Sequence, residues 1–138
     1  MDVTVTSGSG LSQQIQVGRH SLVSDEPVEA GGADRGPTPY DLLAAALGSC
    51  TSMTVAMYAR RKKWPLERVT VRLHHSRVHA ADCAACEAQD ARLTVIDREI
   101  ELEGALDEDQ RARLLAIANR CPVHLTLSSR IDIRTKLR

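Results

Sequence analysis

The chain has 138 residues, enough for one domain (1–138) with a real core and too few for two. Lys plus Arg and Asp plus Glu number 18 each, so no net charge draws the protein toward nucleic acid or an anionic membrane surface. The start, Met1–Asp2–Val3–Thr4–Val5–Thr6, has neither a basic nor an apolar leader segment, and the apolar run from Leu42 to Leu47 is too short to span a bilayer. A cytoplasmic protein without nucleic-acid or membrane partners is expected. In that compartment four cysteines are not a structural disulfide framework; they are redox-active, metal-bound or core residues. Phe is absent and the only aromatics are Tyr40, Tyr58 and Trp64, so aliphatic side chains must fill the core.

Alternation in Asp2–Val3–Thr4–Val5–Thr6 and in Gln14–Ile15–Gln16–Val17 predicts two strands, with Ser7–Gly8–Ser9–Gly10 near their turn and His20 to Ser24 extending the sheet. Asp25 to Thr38, rich in Gly, Pro and charge, reads as a loop long enough to be functional. Thr38 before Pro39 predicts the start of a helix reaching about Lys63, since the hydroxyl caps free N–H groups and proline fits the first helical position. Leu43, Leu47, Cys50, Thr54 and Met57 share one stripe of that helix, and Leu42, Ala45, Ala46, Met53 and Ala56 add apolar surface beside it. One small sheet does not cover so much, which points to a second subunit. Gly48–Ser49 is expected to weaken the helix and to place Cys50 near a new helix N-terminus, where the dipole favours a thiolate.

Two long strands are predicted next, one through Val69, Val71, Leu73 and His75, the other from Thr94 to Glu103 with a charged outer face. Asp107, with Gln110 three residues on, opens a second helix through a capping box. Leu114, Ala118 and Cys121 share its face, and Pro122 ends it at Cys121 while suiting the first position of a short third helix. Arg130 to Leu137 alternates as a closing strand.

Cys50 and Cys121 each end a stripe of small apolar residues, so packing the two helices together would bring both to one buried place. A thiolate beside a second thiol can be oxidised to sulfenic acid and rescued as a disulfide. Taken singly, either cysteine reads first as a small core hydrophobe. The decisive pattern is longer: Gly36–Pro37–Thr38–Pro39–Tyr40–Asp41–Leu42–Leu43, then Ala46–Leu47–Gly48–Ser49–Cys50, then Cys121–Pro122–Val123–His124. With these motifs the chain resembles the OsmC and organic hydroperoxide resistance family over nearly its whole length.

That resemblance implies an α+β fold, the OsmC-like fold, with antiparallel sheets wrapped around central helices in an intertwined homodimer whose two active sites lie at the interface. It implies a thiol-dependent peroxidase of oxidative-stress defence, with Cys50 peroxidatic and Cys121 resolving, a small hydroperoxide as substrate, an external dithiol as reductant and no required cofactor. Better-studied members carry a glutamate ten residues before the reactive cysteine, where this chain has Tyr40 followed by Asp41. They also use an arginine from the turn between the first strands, where Ser7–Gly8–Ser9–Gly10 has none. The helix around Cys50 has no basic residue before Arg60, so Arg35, or failing that Arg19, is expected to compensate a desolvated thiolate.

A second constellation is His75-x3-His79-x3-Cys83-x2-Cys86, four N and S ligands of the kind and number that zinc favours. It reads as a possible zinc site, as an accessory redox loop or as an ordinary polar loop. Two function classes therefore stand side by side. One is the hydroperoxide reductase, with Leu43, Leu47, Met53 and Met57 forming an apolar wall that favours organic substrates. The other is a non-catalytic redox sensor that binds a metal through the His75–Cys86 loop, or a small apolar ligand.

Overall fold

The computed structural model describes residues 2–79 and 92–137. They fall into two compact units, Met1–Leu43 and Ala44–Arg138. In the first, β1 (Val3–Ser7), β2 (Gln13–Val17) and β3 (His20–Ser24) form an antiparallel meander in the order β1-β2-β3. Its register aligns Val5 with Ile15 and Ile15 with Leu22, the alternation expected of these strands.

The loop that follows is built on Asp25. This side chain is buried, and its two carboxylate oxygens accept the backbone N–H groups of Glu26, Ala33 and Arg35 at 2.8, 3.2 and 3.3 Å. Its own N–H donates to the carbonyl of Pro37, which also accepts from the Ser24 hydroxyl. A side chain at Gly36 would strike the carbonyl of Val23, so only glycine lets the loop return this closely to β3.

Helix α1 runs without interruption from Pro39 to Lys62. At its start Thr38 Oγ1 accepts from the N–H of Asp41, while the Asp41 carboxylate accepts from the backbone and hydroxyl of Thr38. This reciprocal cap satisfies two otherwise orphaned donors. The expected break at Gly48–Ser49 does not occur, so Cys50 sits in mid-helix and no new helix N-terminus faces it. Gly48 serves close packing instead: a Cβ there would lie 2.7 Å from Leu73 Cδ1. The buried stripe also differs from the expected one by a residue. Leu47, Thr51, Val55 and Tyr58 face inward, while Met53 and Met57 are 64% and 69% exposed.

In the second unit β4 (Leu66–His79) pairs antiparallel with β5 (Arg92–Gly104), aligning Val69 with Leu102 and Leu73 with Arg98. Helix α2 (Glu108–Ala118) opens with the expected capping box of Asp107 and Gln110. Helix α3 (Pro122–Leu127) has Cys121 at its N-cap and Pro122 at its first position. The core joins Val55, Tyr58 and Ala59 of α1 to Leu114, Ile117 and Ala118 of α2, with Trp64, Val69, Ile100 and Leu102 packed against them. The predicted closing strand is not formed: residues 131–137 lie outside both sheets, and Ile133 and Leu137 are exposed. Alternation alone does not make a strand: its backbone groups must pair with a sheet edge, and those of this segment pair with none of the edges of the two sheets.

By length and mean hydropathy α1 would also suffice to cross a bilayer, although only 28% of its most apolar window is buried. Its Gly48 contact with β4 and its share of the α2 core are those of a helix packed inside a protein.

Candidate active site

Helix α2 ends at Ala118, three residues before the expected Cys121, and Cys121 itself caps α3 in the extended conformation that the following Pro122 favours. That turn aims its sulfur back into the core, where it is fully buried and accepts the N–H of His124 at 3.3 Å. Helix α1 brings the second thiol, since Cys50 is half-buried and its thiol lies near enough to favour the ionised form of Cys121. Both cysteines are free thiols. The two residues singled out from opposite ends of the sequence therefore meet.

Thr51, next to Cys50 and fully buried, lies 3.7 Å from the Cys121 sulfur through its Oγ1 and also donates back to the Leu47 carbonyl at 2.7 Å. Above it stands Arg98 of β5. One guanidinium nitrogen donates to Thr51 Oγ1 at 2.8 Å and to the Ala118 carbonyl at 3.5 Å; the other donates to Asn119 Oδ1 at 2.8 Å and meets His124 Nδ1 at 3.2 Å. A guanidinium has no acceptor, so His124 Nδ1 must accept, which fixes the neutral tautomer with its proton on Nε2. Burial pushes the Cys121 thiol up. The His124 N–H, the Thr51 hydroxyl, the Cys50 thiol and the Arg98 charge outweigh it, and the thiol ionises below its ordinary value.

A cleft of about 600 Å³ is lined by Thr54, Met57, Tyr58, Ile117, Pro122 and the arginines Arg61 and Arg120, of which Pro122 directly follows Cys121 in the chain. Of the apolar wall expected from the sequence, only Met57 faces it.

The sequence matches the family described as OsmC-like protein over residues 31–136. The chain belongs to the OsmC family. The OsmC-like protein of Mycoplasma pneumoniae is similar in fold, with a TM-score of 0.74 at 19% identity over 92% of this chain and 86% of that one. An organic hydroperoxide resistance protein OsmC of Legionella pneumophila gives 0.66 at 20% identity over 91% and 87%. An organic hydroperoxide resistance protein of Elizabethkingia anophelis gives 0.67 at 17% identity over 90% and 84%. No curated protein matches. The α+β architecture with antiparallel sheets and packed helices is thus that of OsmC proteins, a family associated with organic hydroperoxide resistance.

Set in this OsmC frame, Arg35, Asp41, His75 and His79 have definite places along the chain. Arg35 belongs to the first unit, where its guanidinium donates to Ser9 Oγ at 3.1 Å. It thereby reaches the turn from which the family resemblance leads one to expect an arginine. Asp41, in the same unit, caps α1. His75 faces Ile96 in the β4–β5 register and His79 ends β4, whereas Cys83 and Cys86 lie outside the described residues. Among the described residues no three His, Cys, Asp or Glu side chains stand together as a metal site.

Arg98, Thr51 and Asn119 were not anticipated from the sequence. A signal for Arg98 existed: Ile96, Arg98, Ile100 and Leu102 form the half-buried row of β5, so Arg98 is the one charge in an apolar register. A cation in such a row must find partners inside.

Proposed function

We propose that this OsmC protein is a thiol-dependent peroxidase that reduces organic hydroperoxides in the cytoplasm. The observation that carries this reading is the approach of two free thiols, Cys50 half-buried and Cys121 fully buried beside Thr51 of the same helix as Cys50. The hydroperoxide oxidises the more accessible Cys50 to sulfenic acid, Cys121 condenses with it to a disulfide and water, and an external dithiol restores both thiols. The mostly apolar cleft that includes Pro122, the residue after Cys121, supports an organic substrate over hydrogen peroxide. Arg35 and Asp41 remain proposed members of the site on the strength of the family resemblance. Zinc at His75, His79, Cys83 and Cys86 is a separate proposal, checked by metal analysis of the purified protein.

Consumption of cumene hydroperoxide with a dithiol tests the main reading. Cys50→Ser is expected to abolish turnover, and Cys121→Ser to permit one oxidation that leaves a trapped sulfenic acid on Cys50. Normal turnover by Cys121→Ser together with loss of turnover in Cys83→Ser would transfer the chemistry to the loop thiols.

A further inference from the structure

Arg98 is a half-buried cation whose four hydrogen bonds all end on neutral acceptors: Thr51 Oγ1, the Ala118 carbonyl, Asn119 Oδ1 and His124 Nδ1. Among the described residues no carboxylate pairs with it, although Arg68 and Arg72 of the neighbouring strand are each paired with a glutamate. An unpaired charge held away from water is costly, so a compensating anion is expected nearby. The groups around the Cys121 sulfur are Cys50 and Thr51 from α1, Arg98 from β5 and His124 from α3, with Asn119 following α2. None of them is acidic by nature except the two thiols.

We propose that Cys121 is the counter-ion of Arg98: in the reduced protein its sulfur carries the negative charge, and the Cys50 thiol donates its proton to it. The His124 N–H donates to this sulfur, the Thr51 hydroxyl lies 3.7 Å from it, and the Cys50 thiol adds to the pull toward the ionised form. Thr51 is the relay. It has one proton to share between the Leu47 carbonyl and the Cys121 sulfur. Arg98 fills one lone pair on its oxygen, which polarises the hydroxyl and strengthens whatever bond it donates. The net fall of the Cys121 thiol below its ordinary value, against the opposing effect of burial, agrees with this arrangement.

The mechanistic consequence rests on the peroxidase reading above. Cys50 passes its proton to the Cys121 thiolate as its sulfur attacks the terminal oxygen of the hydroperoxide. The O–O bond breaks, Cys50 becomes a sulfenic acid, and the departing alkoxide takes the proton back from Cys121 to leave as an alcohol. Cys121 is again a thiolate. It attacks the Cys50 sulfur, the S–O bond breaks, and the released hydroxide takes a proton from solvent to give water. Two electrons from the two thiols reduce the peroxide, and Cys121 acts first as proton acceptor and then as nucleophile. Arg98 is the positioning residue that keeps it charged for both tasks.

The charge assignment is tested without turnover. With Cys83 and Cys86 replaced by Ser, Cys50→Ser leaves Cys121 as the only thiol and a serine hydroxyl still able to donate to it. Its thiolate absorbance is expected to titrate below the ordinary thiol range; Arg98→Gln should move it upward, and Arg98→Lys should restore part of the shift. If Arg98→Gln does not fold, Thr51→Val must move the titration in the same direction. An ordinary titration of Cys121, or one unmoved by either substitution, overturns the proposal. A lowered titration that depends on Arg98, in a protein that consumes no hydroperoxide, upholds the charge assignment and defeats the peroxidase reading instead.

Discussion

At Cys121 burial and acidity together dictate which half of a disulfide an external reductant meets. A fully buried sulfur offers no line of attack, while Cys50 is half-buried. A thiol held below its ordinary pKa, as Cys121 is, also makes a good leaving group in thiol–disulfide exchange. Treating the oxidised protein with a monothiol is therefore expected to give a mixed disulfide on Cys50 alone, read by peptide mass mapping; an adduct on Cys121 would contradict this. Asp25 supplies a second residue-level test. Burial raises its pKa, but three backbone N–H groups and the Arg35 charge outweigh that and hold the carboxyl below its ordinary 3.8. A group depressed in the folded state contributes stability above its unfolded pKa and loses it as pH falls through the folded one. Asp25→Asn should thus lower the urea midpoint at neutral pH, and the gap from wild type should narrow only below about that ordinary value. A gap independent of pH would show that the charge contributes nothing. Asp25 was not legible because its role depends on how a short irregular loop folds back, and for Arg98 the apolar register marked an inward cation while its partners, such as Thr51, lie far along the chain.

Elements were more legible than their faces. The three short strands, the α2 capping box and the Pro122 restart at α3 carry local chemistry that a few neighbouring residues fully specify, and each was found where expected. Helix α1 was located to within a residue or two, but not its inward stripe. Its apolar residues surround the helix, so periodicity cannot choose between Cys50 and Thr51 as the buried position. Gly48 is what settles the packing. Helix propensity alone makes it a weak point, yet the absence of a side chain brings α1 onto Leu73. Gly48→Val should cost about 1–3 kcal/mol through overpacking, measured as a lowered midpoint in urea. Gly48→Ala should be nearly neutral, because its gain of about 1 kcal/mol in helix propensity offsets the shift required of Leu73. A Gly48→Val protein as stable as wild type would mean that Leu73 does not press on the helix.

For the whole molecule the open question is what covers α1 and what pairs with the C-terminal residues. Met53 and Met57 are largely exposed, and residues 131–137 keep the alternation of a strand without joining either sheet. Both features support the proposed homodimer, in which a second copy would bury the methionines at about 25 cal/mol per Å² and give the last segment an edge. Sedimentation is expected to show a dimer at micromolar concentration; a stable, folded monomer there would end this reading. Such an assembly changes the order of folding. A chain that completes its last strand only on another chain cannot finish alone, so the final step becomes second order and its half-time lengthens on dilution. Until that encounter, the unpaired C-terminal segment is a ready template for the wrong neighbour, and misassembly competes with pairing most strongly where nascent chains are crowded.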